Sequence, residues 1–131
     1  MDHAQKNKEF VLRHFEELVN QKDTSVIARN FVPNFLDHEG PNGEPIGVEE
    51  GKARMKALAT RFPDLHVEIR DCIAEQDKVV VRGAWTGTDA ATGQKMEFHG
   101  FVSWRIEDGK FVERWATTIP PAEVNSSLEK W

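Results

Sequence analysis

Two neighbouring residues in the sequence, Asp37 and His38, could carry out proton-transfer chemistry. They lie side by side in the stretch FLDHEG, shortly after the aromatic Phe35. An imidazole beside a carboxylate can act as a general base or can orient a ligand through a hydrogen bond. The alternative is that His38 is a loop residue that caps backbone groups or faces water. The sequence leaves both interpretations open.

Arg114, in the stretch FVERWATTIPP, is the second candidate. Strand periodicity places it on the same side as Ala116 and Thr118. If that side faces a hollow, the guanidinium needs a carboxylate or an acidic ligand as a partner. If it faces outward, Arg114 would pair weakly with Glu97 or Glu107 across the sheet. Both orientations remain open, because each side of this strand is half polar.

The remaining reactive side chains do not form a recognised catalytic or metal-binding pattern. The sequence contains no HxH or HExxH spacing, no GxSxG, no phosphate loop and no dinucleotide fingerprint. We therefore expect no metal and no cofactor. Alternation predicts that His66 and His99 lie on the solvent or partner face of strands, and His3 and His14 are expected on the surface of the first helix. Cys72 is expected to be a small core residue.

The composition is that of one acidic domain, residues 1–131. Seventeen Lys and Arg residues against 22 Asp and Glu residues give a net charge of −5, which argues against a nucleic-acid partner. A single cysteine indicates a reducing compartment. The first ten residues, MDHAQKNKEF, lack the apolar core of a signal peptide, and no run of 18 apolar residues is present. We expect a cytoplasmic protein.

Hydrophobic periodicity predicts helices followed by strands. Helical spacing covers residues 4–20, 24–30 (with Thr24 as a cap) and 48–62, whereas the proline- and glycine-rich residues 31–47 are expected to be mostly loop. After Pro63 the period becomes 2, which predicts strands over 65–74, 78–88, 94–107 and 110–119, with a tight hairpin at Asp108-Gly109. This order predicts an α+β fold in which a curved, mostly antiparallel sheet of about four long strands, with or without a short fifth, wraps around three helices and encloses a cone-shaped pocket.

The third predicted strand indicates which side of the sheet faces the helices. Phe98, Val102 and Trp104 alternate on one side with Gly100, whose missing side chain would let the sheet bend. Trp85 and Trp104 are expected in the core or the pocket wall. On the opposite side, Phe101 and Trp115 would form an apolar patch suited to a dimer.

Three stretches of the chain, over roughly residues 8–118, resemble the SnoaL-like polyketide cyclases and ester cyclases of the nuclear transport factor 2-like superfamily. These stretches are FLDHEG, PIGVEEGKARMKALATRFPDLHVEIRDCIAEQDKVVVRGAWTGT and MEFHGFVSWRIEDGKFVERW. The resemblance implies an α+β cone, a homodimer through the outer face of the sheet, and ring closure by intramolecular aldol chemistry without metal or cofactor.

The resemblance also implies an acid and a supporting histidine in the hollow, but the matching positions here are Ala116 and Val102. A further aspartate would fall at Ile119. Neither a methyl nor an isopropyl group can accept a proton, so proton transfer of the family type is not available from these positions. An acid that reached the hollow from elsewhere in the chain would overturn this view of the site.

We therefore expect the chain to bind a small, largely apolar molecule in the cone. In the enzymatic interpretation, His38 with Asp37 carries the chemistry and Arg114 or Arg82 stabilises an oxyanion. The alternatives are a non-catalytic small-molecule-binding or dimerising module and, less favoured, a protein-binding adaptor. The expected pocket residues are Phe35, Arg82, Trp85, Phe98, Val102, Trp104, Arg114 and Ala116.

Overall fold

A computed structural model of the chain describes residues 2–123, with side chains described as far as residue 119. The first helix begins after Asp2, whose side chain accepts a hydrogen bond from the Gln5 amide at 2.8 Å. The predicted helix over residues 4–20 is present, but its last turn widens into a π-helix. The helical elements are α1 (His3–Phe15) with its π-helical extension (Glu16–Asn20), α2 (Val26–Asn30), a 3₁₀ turn (Pro41–Gly43) and α3 (Val48–Arg61).

The start of α2 differs from the prediction. Ser25, not Thr24, occupies the N-cap position, and its side chain makes no capping bond. Asp23 organises the turn instead, because its Oδ1 accepts hydrogen bonds from both the amide and the hydroxyl of Ser25, at 3.0 and 2.5 Å. The assignment of Thr24 as the cap is therefore wrong.

Within residues 2–123, five strands form one sheet in the order β1-β5-β4-β3-β2. β1 runs parallel to β5, and the other neighbours are antiparallel. Asp108 and Gly109 have φ of 49° and 75°, as a type I′ hairpin requires. The predicted α+β fold with helices against a curved, mostly antiparallel sheet is confirmed. The strands are β1 (Phe31–Asp37), β2 (His66–Glu75), β3 (Lys78–Thr88), β4 (Lys95–Glu107) and β5 (Lys110–Glu123).

β1 lies in the segment that the sequence predicts to be mostly loop. Its pairing with β5 is interrupted, since Phe31 pairs with Phe111 and the next registered pair is Leu36 with Glu113. Pro33 is tolerated because β1 is an edge strand of this sheet, where a missing N–H costs no ladder hydrogen bond on the open side. The strand is long enough to bring Asp37 beside Arg114.

β5 continues past the double proline at which the sequence predicts it to end. The pairing of β1 with β5 reaches only as far as Arg114, so beyond that residue one side of β5 has no strand partner in the described sheet. Prolines at these positions therefore remove no inter-strand hydrogen bond on that side. The other side still pairs with β4, as far as Met96 with Glu123.

The core lies between α1 and the concave face of the sheet. As predicted, alternate residues of β4 face the helices, and Val102, Trp104 and Ile106 are buried there. One surface assignment is wrong, because His14 is buried on the inner side of α1. His99 lies on the outer side of β4 as predicted, but it is buried there. The buried apolar cluster comprises Phe10, Val11, Phe15, Val19, Phe35, Phe62, Leu65, Val67, Val79, Val81, Trp85, Val102, Trp104, Ile106 and Phe111.

In the part of the chain that the structure describes, no helix combines the length and the apolar character needed to cross a bilayer. The cytoplasmic location expected from the sequence stays a prediction.

Gly100 is a point of close approach between β4 and β5. A Cβ atom added there would lie 2.6 Å from Thr118 Cα and 2.8 Å from Thr118 Cγ2, and closer still to the Thr117 carbonyl oxygen. These partners are mostly backbone atoms, which cannot move without disturbing the pairing of Gly100 with Thr118. A side chain at this position therefore separates two central strands of the sheet.

We expect Gly100→Ala to lower the free energy of unfolding by about 1–3 kcal/mol, because the added methyl overpacks the strand pair. Urea unfolding monitored by tryptophan fluorescence measures the change. Gly51→Ala in α3 is the matched control: nothing lies within 4 Å of its added Cβ, so alanine should stabilise the helix by roughly 0.5–1 kcal/mol. Equal stability of Gly100→Ala and the unsubstituted protein would contradict the close approach.

Candidate functional site

A cavity of about 460 Å³ opens between the helices and the concave face of the sheet. Its wall is mainly apolar and aromatic, which is typical of small-molecule sites. Polar side chains in its lining include His14 from α1, Asp37 from β1 and Arg114 from β5, and Lys52 and Arg54 of α3 also reach it. The predicted pocket residues that line it are Phe35, Trp85, Phe98, Trp104 and Arg114, together with Asp37 from the predicted catalytic pair.

Asp37 and Arg114 form an ion pair at the cavity wall. Arg114 Nη1 lies 3.0 Å from Asp37 Oδ2 and 3.1 Å from Oδ1, and the two side chains are only 12% and 26% exposed. Of the two orientations that the sequence leaves open for Arg114, the inward one is therefore observed, with a carboxylate as its partner. The guanidinium carbon also lies 5.7 Å from the centroid of the Trp104 ring.

The backbone holds Asp37 in this position from both sides. Asp37 exchanges two backbone hydrogen bonds with Ile46, at 2.8 and 2.9 Å, and the amide of His38 donates to the Arg114 carbonyl at 2.9 Å. Asp37 Oδ1 additionally accepts from the Glu39 amide at 2.9 Å. Among the described residues Oδ2 accepts from Arg114 alone, so it is the less committed of the two oxygens.

Asp37 changes the view of the site that the sequence supports. The last strand has no acid at the expected position, which is occupied by Ala116. The carboxylate comes instead from the neighbouring β1, which the sequence predicts to be loop. The cavity wall therefore carries a carboxylate from outside the last strand, that of Asp37, which belongs to the predicted catalytic pair.

His14 contributes a buried imidazole to the cavity wall. Asn30 Nδ2 lies 2.9 Å from His14 Nδ1, and both side chains are buried. Burial, and secondly the positive charge of Arg114, lower the pKa of His14 from 6.5 to about 3. The imidazole is therefore neutral at physiological pH.

Trp104 places its indole ring between His14 and the ion pair. The ring is 3% exposed and lies edge-on to the His14 ring, with 5.7 Å between the centroids. Its Nε1–H is buried and has no hydrogen-bond partner among the residues that the structure describes. A buried donor without an acceptor is destabilising and uncommon in folded proteins.

His38 does not line the cavity. In the extended backbone that ends β1, successive side chains point to opposite faces. His38 Nε2 is 2.7 Å from Glu113 Oε2, and its ring stacks on Trp115 with centroids 4.9 Å apart. The prediction that His38 acts beside Asp37 in the hollow therefore has no support in the geometry, because the sheet separates the two side chains.

Glu113 joins His38 to Arg105 on this outer face. Its second oxygen accepts from Arg105 Nε at 2.6 Å. The hydrogen bond from His38, and then that from Arg105, lower the pKa of the Glu113 carboxyl. Glu113 is thus a paired carboxylate remote from the cavity.

The other predicted pocket residues lie outside the cavity lining. Arg82 is on the outer face, where its Nε bonds Asp71 Oδ2 at 2.6 Å. Val102 is buried in the core, and Ala116 packs against the same core. These last two positions are paired across β4 and β5, side by side on the inner face, as the family resemblance implies for a histidine and an acid.

Sequence reasoning missed His14 because its residue type suggested a surface position. The spacing contains the opposite signal: His14 follows Phe10 by four residues and Val11 by three, which places it on the buried face of the helix. Other lining residues that were not singled out are Leu18, Ile27, Lys52, Arg54, Met55, Leu58 and Thr118.

Residues 2–123 contain no group of three or more His, Cys, Asp or Glu side chains arranged to hold a metal ion. The expectation that the protein uses neither metal nor cofactor stays a prediction.

The model of the SnoaL-like polyketide cyclase family matches residues 9–118. The chain therefore belongs to this family. No curated protein sequence matches the chain.

Solved structures share the fold along most of the chain. AclR, a candidate hydroxylase from Streptomyces galilaeus, is 25% identical with a TM-score of 0.80, covering 88% of this chain and 79% of its own. A candidate SnoaL-like polyketide cyclase from Jannaschia sp. CCS1 is also 25% identical, with a TM-score of 0.79 and coverage of 90% and 88%. IdmH, a candidate polyketide cyclase from Streptomyces antibioticus, is 22% identical with a TM-score of 0.78 and coverage of 86% and 91%, and shows the fold alone.

The lowered pKa of His14 predicts a pH-dependent stability. The unfolded chain binds a proton at this imidazole near pH 6.5, whereas the folded chain does so only near pH 3, so folding stability falls as the pH drops through this window. Between pH 7 and pH 5 we expect a loss of ~2 kcal/mol from this residue. Urea unfolding at both pH values measures the loss.

His14→Gln is the control for that experiment, since it keeps a polar side chain but has no titrating group. We expect this variant to lose about 2 kcal/mol less than the unsubstituted protein between the same two pH values. If both proteins lose the same stability, His14 is not buried in its neutral form.

Proposed function

We propose that this protein binds a small, largely apolar molecule in the cavity and acts on it as a cofactor-independent enzyme of the polyketide-cyclase type. The observation that supports this proposal is a single ion-paired carboxylate, Asp37, on the wall of an otherwise mainly apolar cavity of about 460 Å³. A charged pair is costly to bury in such surroundings, and apolar side chains of similar volume are often at least as stabilising, so the pair is poorly explained by stability alone.

In the proposed reaction Asp37 replaces the acid that is absent at Ala116. Oδ2 of Asp37 takes a proton from a carbon beside a ligand carbonyl, and the C–H electron pair forms an enolate. The enolate carbon attacks a second carbonyl of the same molecule, and the resulting alkoxide takes the proton back. Arg114 acts as a positioning residue, because its contacts with both carboxylate oxygens fix the orientation of the base.

Family membership and the neighbouring structures support the reaction class but do not identify the substrate. The nearest charged side chains to the chemistry, Asp37 and Arg114, neutralise each other, which suits an uncharged reacting group. Lys52 and Arg54 of α3 also line the cavity but belong to an exposed stretch of that helix. We assign them to the entrance.

A non-catalytic binding module is the second candidate, and one observation favours it. The oxygens of Asp37 already accept hydrogen bonds from Arg114 and from the Glu39 amide, which reduces their availability to a substrate proton. Under this alternative the same apolar molecule binds but no proton is removed from it.

Proton exchange from a bound ketone separates the two candidates without knowledge of the natural substrate. With methyl naphthyl ketone in heavy water, we expect the protein to accelerate deuterium incorporation into the methyl group, and Asp37→Asn to lower that acceleration by roughly a hundredfold. Proton NMR measures the exchange. Ketone binding without accelerated exchange would favour the non-catalytic module.

His38→Asn is the matched control for Asp37→Asn. It alters the adjacent residue, which contacts Glu113 on the outer face, and should leave the exchange rate within about twofold. A large loss of exchange in His38→Asn with full exchange in Asp37→Asn would reverse the assignment of the base.

We also propose a homodimer through the outer face of the sheet. Ile73 and Val80 form a cross-strand pair on this face, and both are exposed, as is Phe101. Trp115 lies on the same face, where it stacks on His38. Exposed apolar side chains grouped on one face are characteristic of a protein interface.

Light scattering tests the dimer. We expect the protein to have twice its chain mass of 14.9 kDa, and Phe101→Glu to shift it toward the monomer, because a charge at the centre of the face would be buried in the dimer. Leu12→Glu, at an exposed position of α1 away from this face, should leave the mass unchanged. A monomer at all concentrations would contradict this proposal without affecting the cavity.

A further inference from the structure

The charged side chains that line the cavity do not balance one another. Asp37 and Arg114 neutralise each other in their ion pair, but Lys52 and Arg54 of α3 add two further positive charges to the lining. The chain as a whole is acidic, with a net charge of −5. The charge of the lining is therefore opposite in sign to that of the protein.

Lys52 interrupts the apolar stripe with which α3 faces the cavity. Val48, Met55 and Leu58 form this stripe at helical spacing. Lys52 follows Val48 by four residues and precedes Met55 by three, so it lies on the same face of the helix. Its side chain is 44% exposed, and a lysine stem can cover apolar surface while the ammonium group stays in contact with water. A cation is thus placed where the cavity meets solvent.

The protein itself neutralises these two cations only in part. Lys52 Nζ lies 3.4 Å from Glu49 Oε1, and the Glu49 side chain is 87% exposed, so this pair contributes little. Arg54 Nη1 donates to the Glu39 carbonyl at 2.5 Å, and in the part of the chain that the structure describes no carboxylate forms a salt bridge with Arg54. A ligand with a single negative charge would balance the entrance.

We propose that the ligand carries a carboxylate at the end opposite its reacting carbonyl, and that Lys52 and Arg54 bind this carboxylate at the cavity entrance. This inference rests on the proposed function, because it concerns the same molecule in the same cavity. The Asp37–Arg114 pair faces the uncharged reacting group, and the two cations hold the group that stays in contact with solvent. The substrate class is then an acid with a large apolar body.

The available donors suit a carboxylate better than a phosphate. Arg54 uses Nη1 for the Glu39 carbonyl, and within the described residues its Nε and Nη2 groups are not engaged. Two parallel N–H groups of a guanidinium match the two oxygens of a carboxylate. A phosphate monoester carries about two negative charges at neutral pH, which is more than two cations partly offset by Glu49 would balance.

The two cations would determine specificity rather than take part in the chemistry. A contact with a group remote from the reacting atoms is equally strong in the ground state and in the transition state. Such a contact strengthens substrate binding without changing the rate of the bound molecule. Lys52 and Arg54 are therefore expected to select acids over neutral molecules of the same shape.

Two probes of matched shape test the entrance site. Acetylnaphthoic acid, with its acetyl and carboxyl groups at opposite ends of the ring system, is ionised at neutral pH, whereas the corresponding primary amide is neutral. We expect the protein to bind the acid about tenfold more tightly at low ionic strength. This preference should shrink in high salt, because ions screen partly exposed charge pairs. Isothermal titration with each probe at two salt concentrations measures both effects.

Substitutions in α3 separate the charges from the packing of the helix. Lys52→Met keeps an unbranched apolar stem and removes the charge, and Arg54→Gln keeps a polar side chain. Each should weaken binding of the acid about threefold and leave binding of the amide unchanged, and the double variant should bind both probes equally. Lys56→Gln is the matched control, because it removes a positive charge at an exposed position of the same helix outside the lining.

Deuterium exchange into the acetyl group gives a second readout. Lys52→Met and Arg54→Gln should raise the concentration of acid needed for half-maximal exchange and leave the exchange rate at saturation unchanged. Asp37→Asn should instead lower the rate at saturation. A fall of the saturated rate in the α3 variants would contradict a role limited to binding.

The outcomes distinguish this inference from the proposed function. Equal binding of acid and amide would refute the entrance site while binding in the cavity stands. A preference for the acid that survives in the double variant, or that falls as much in Lys56→Gln as in Lys52→Met, would overturn the role of these two residues. Acid preference without accelerated exchange would support the entrance site and refute the enzymatic part of the proposed function. If neither probe binds, both proposals are refuted.

Discussion

The parallel pairing of β1 with β5 places Asp37 opposite Arg114, and the character of the cavity depends on this contact. An isolated charge in apolar surroundings is strongly disfavoured, whereas a paired charge with further hydrogen bonds is tolerated. Backbone hydrogen bonds to Ile46 and from the His38 amide fix the end of β1 against β5. The ion pair can therefore remain at the cavity wall without either charge turning toward water.

The extended conformation of β1 also separates two polar clusters that are adjacent in sequence. Asp37 points to the helices, and His38 points to the outer face, where Glu113 and Arg105 complete a network. The sheet lies between the two clusters, so their side chains do not contact each other. The cavity thereby gains an acid from an edge strand, whereas the expected position on β5 is Ala116, and the polar outer network lies on the face that we propose as the dimer interface.

Local patterns predicted most of the fold. Alternation along 65–119 and the Asp108-Gly109 turn specify the antiparallel strands because each depends on neighbours in the chain. β1 could not be predicted in this way. Pro33 and the following glycines are typical of a loop, and the partner strand β5 is about eighty residues away in the sequence, so no local pattern indicates the pairing. The site was predicted where wall residues such as Trp85 and Trp104 follow strand periodicity. A site residue was missed where a polar residue type occupies a position on the buried face of a helix, as His14 does.

The polar groups of the cavity are difficult to explain as contributions to folding. Leucine at position 14 would remove a buried imidazole and the need for Asn30 beside it, and phenylalanine at 104 would remove an unpaired donor. Sequences tend to agree with their fold at every level except where function requires otherwise. The exceptions here are Asp37, His14 and Trp104, which line one mainly apolar cavity, and Asn30, which contacts His14. Among them the proposed function depends on Asp37, because a base must face the small molecule from which it takes a proton.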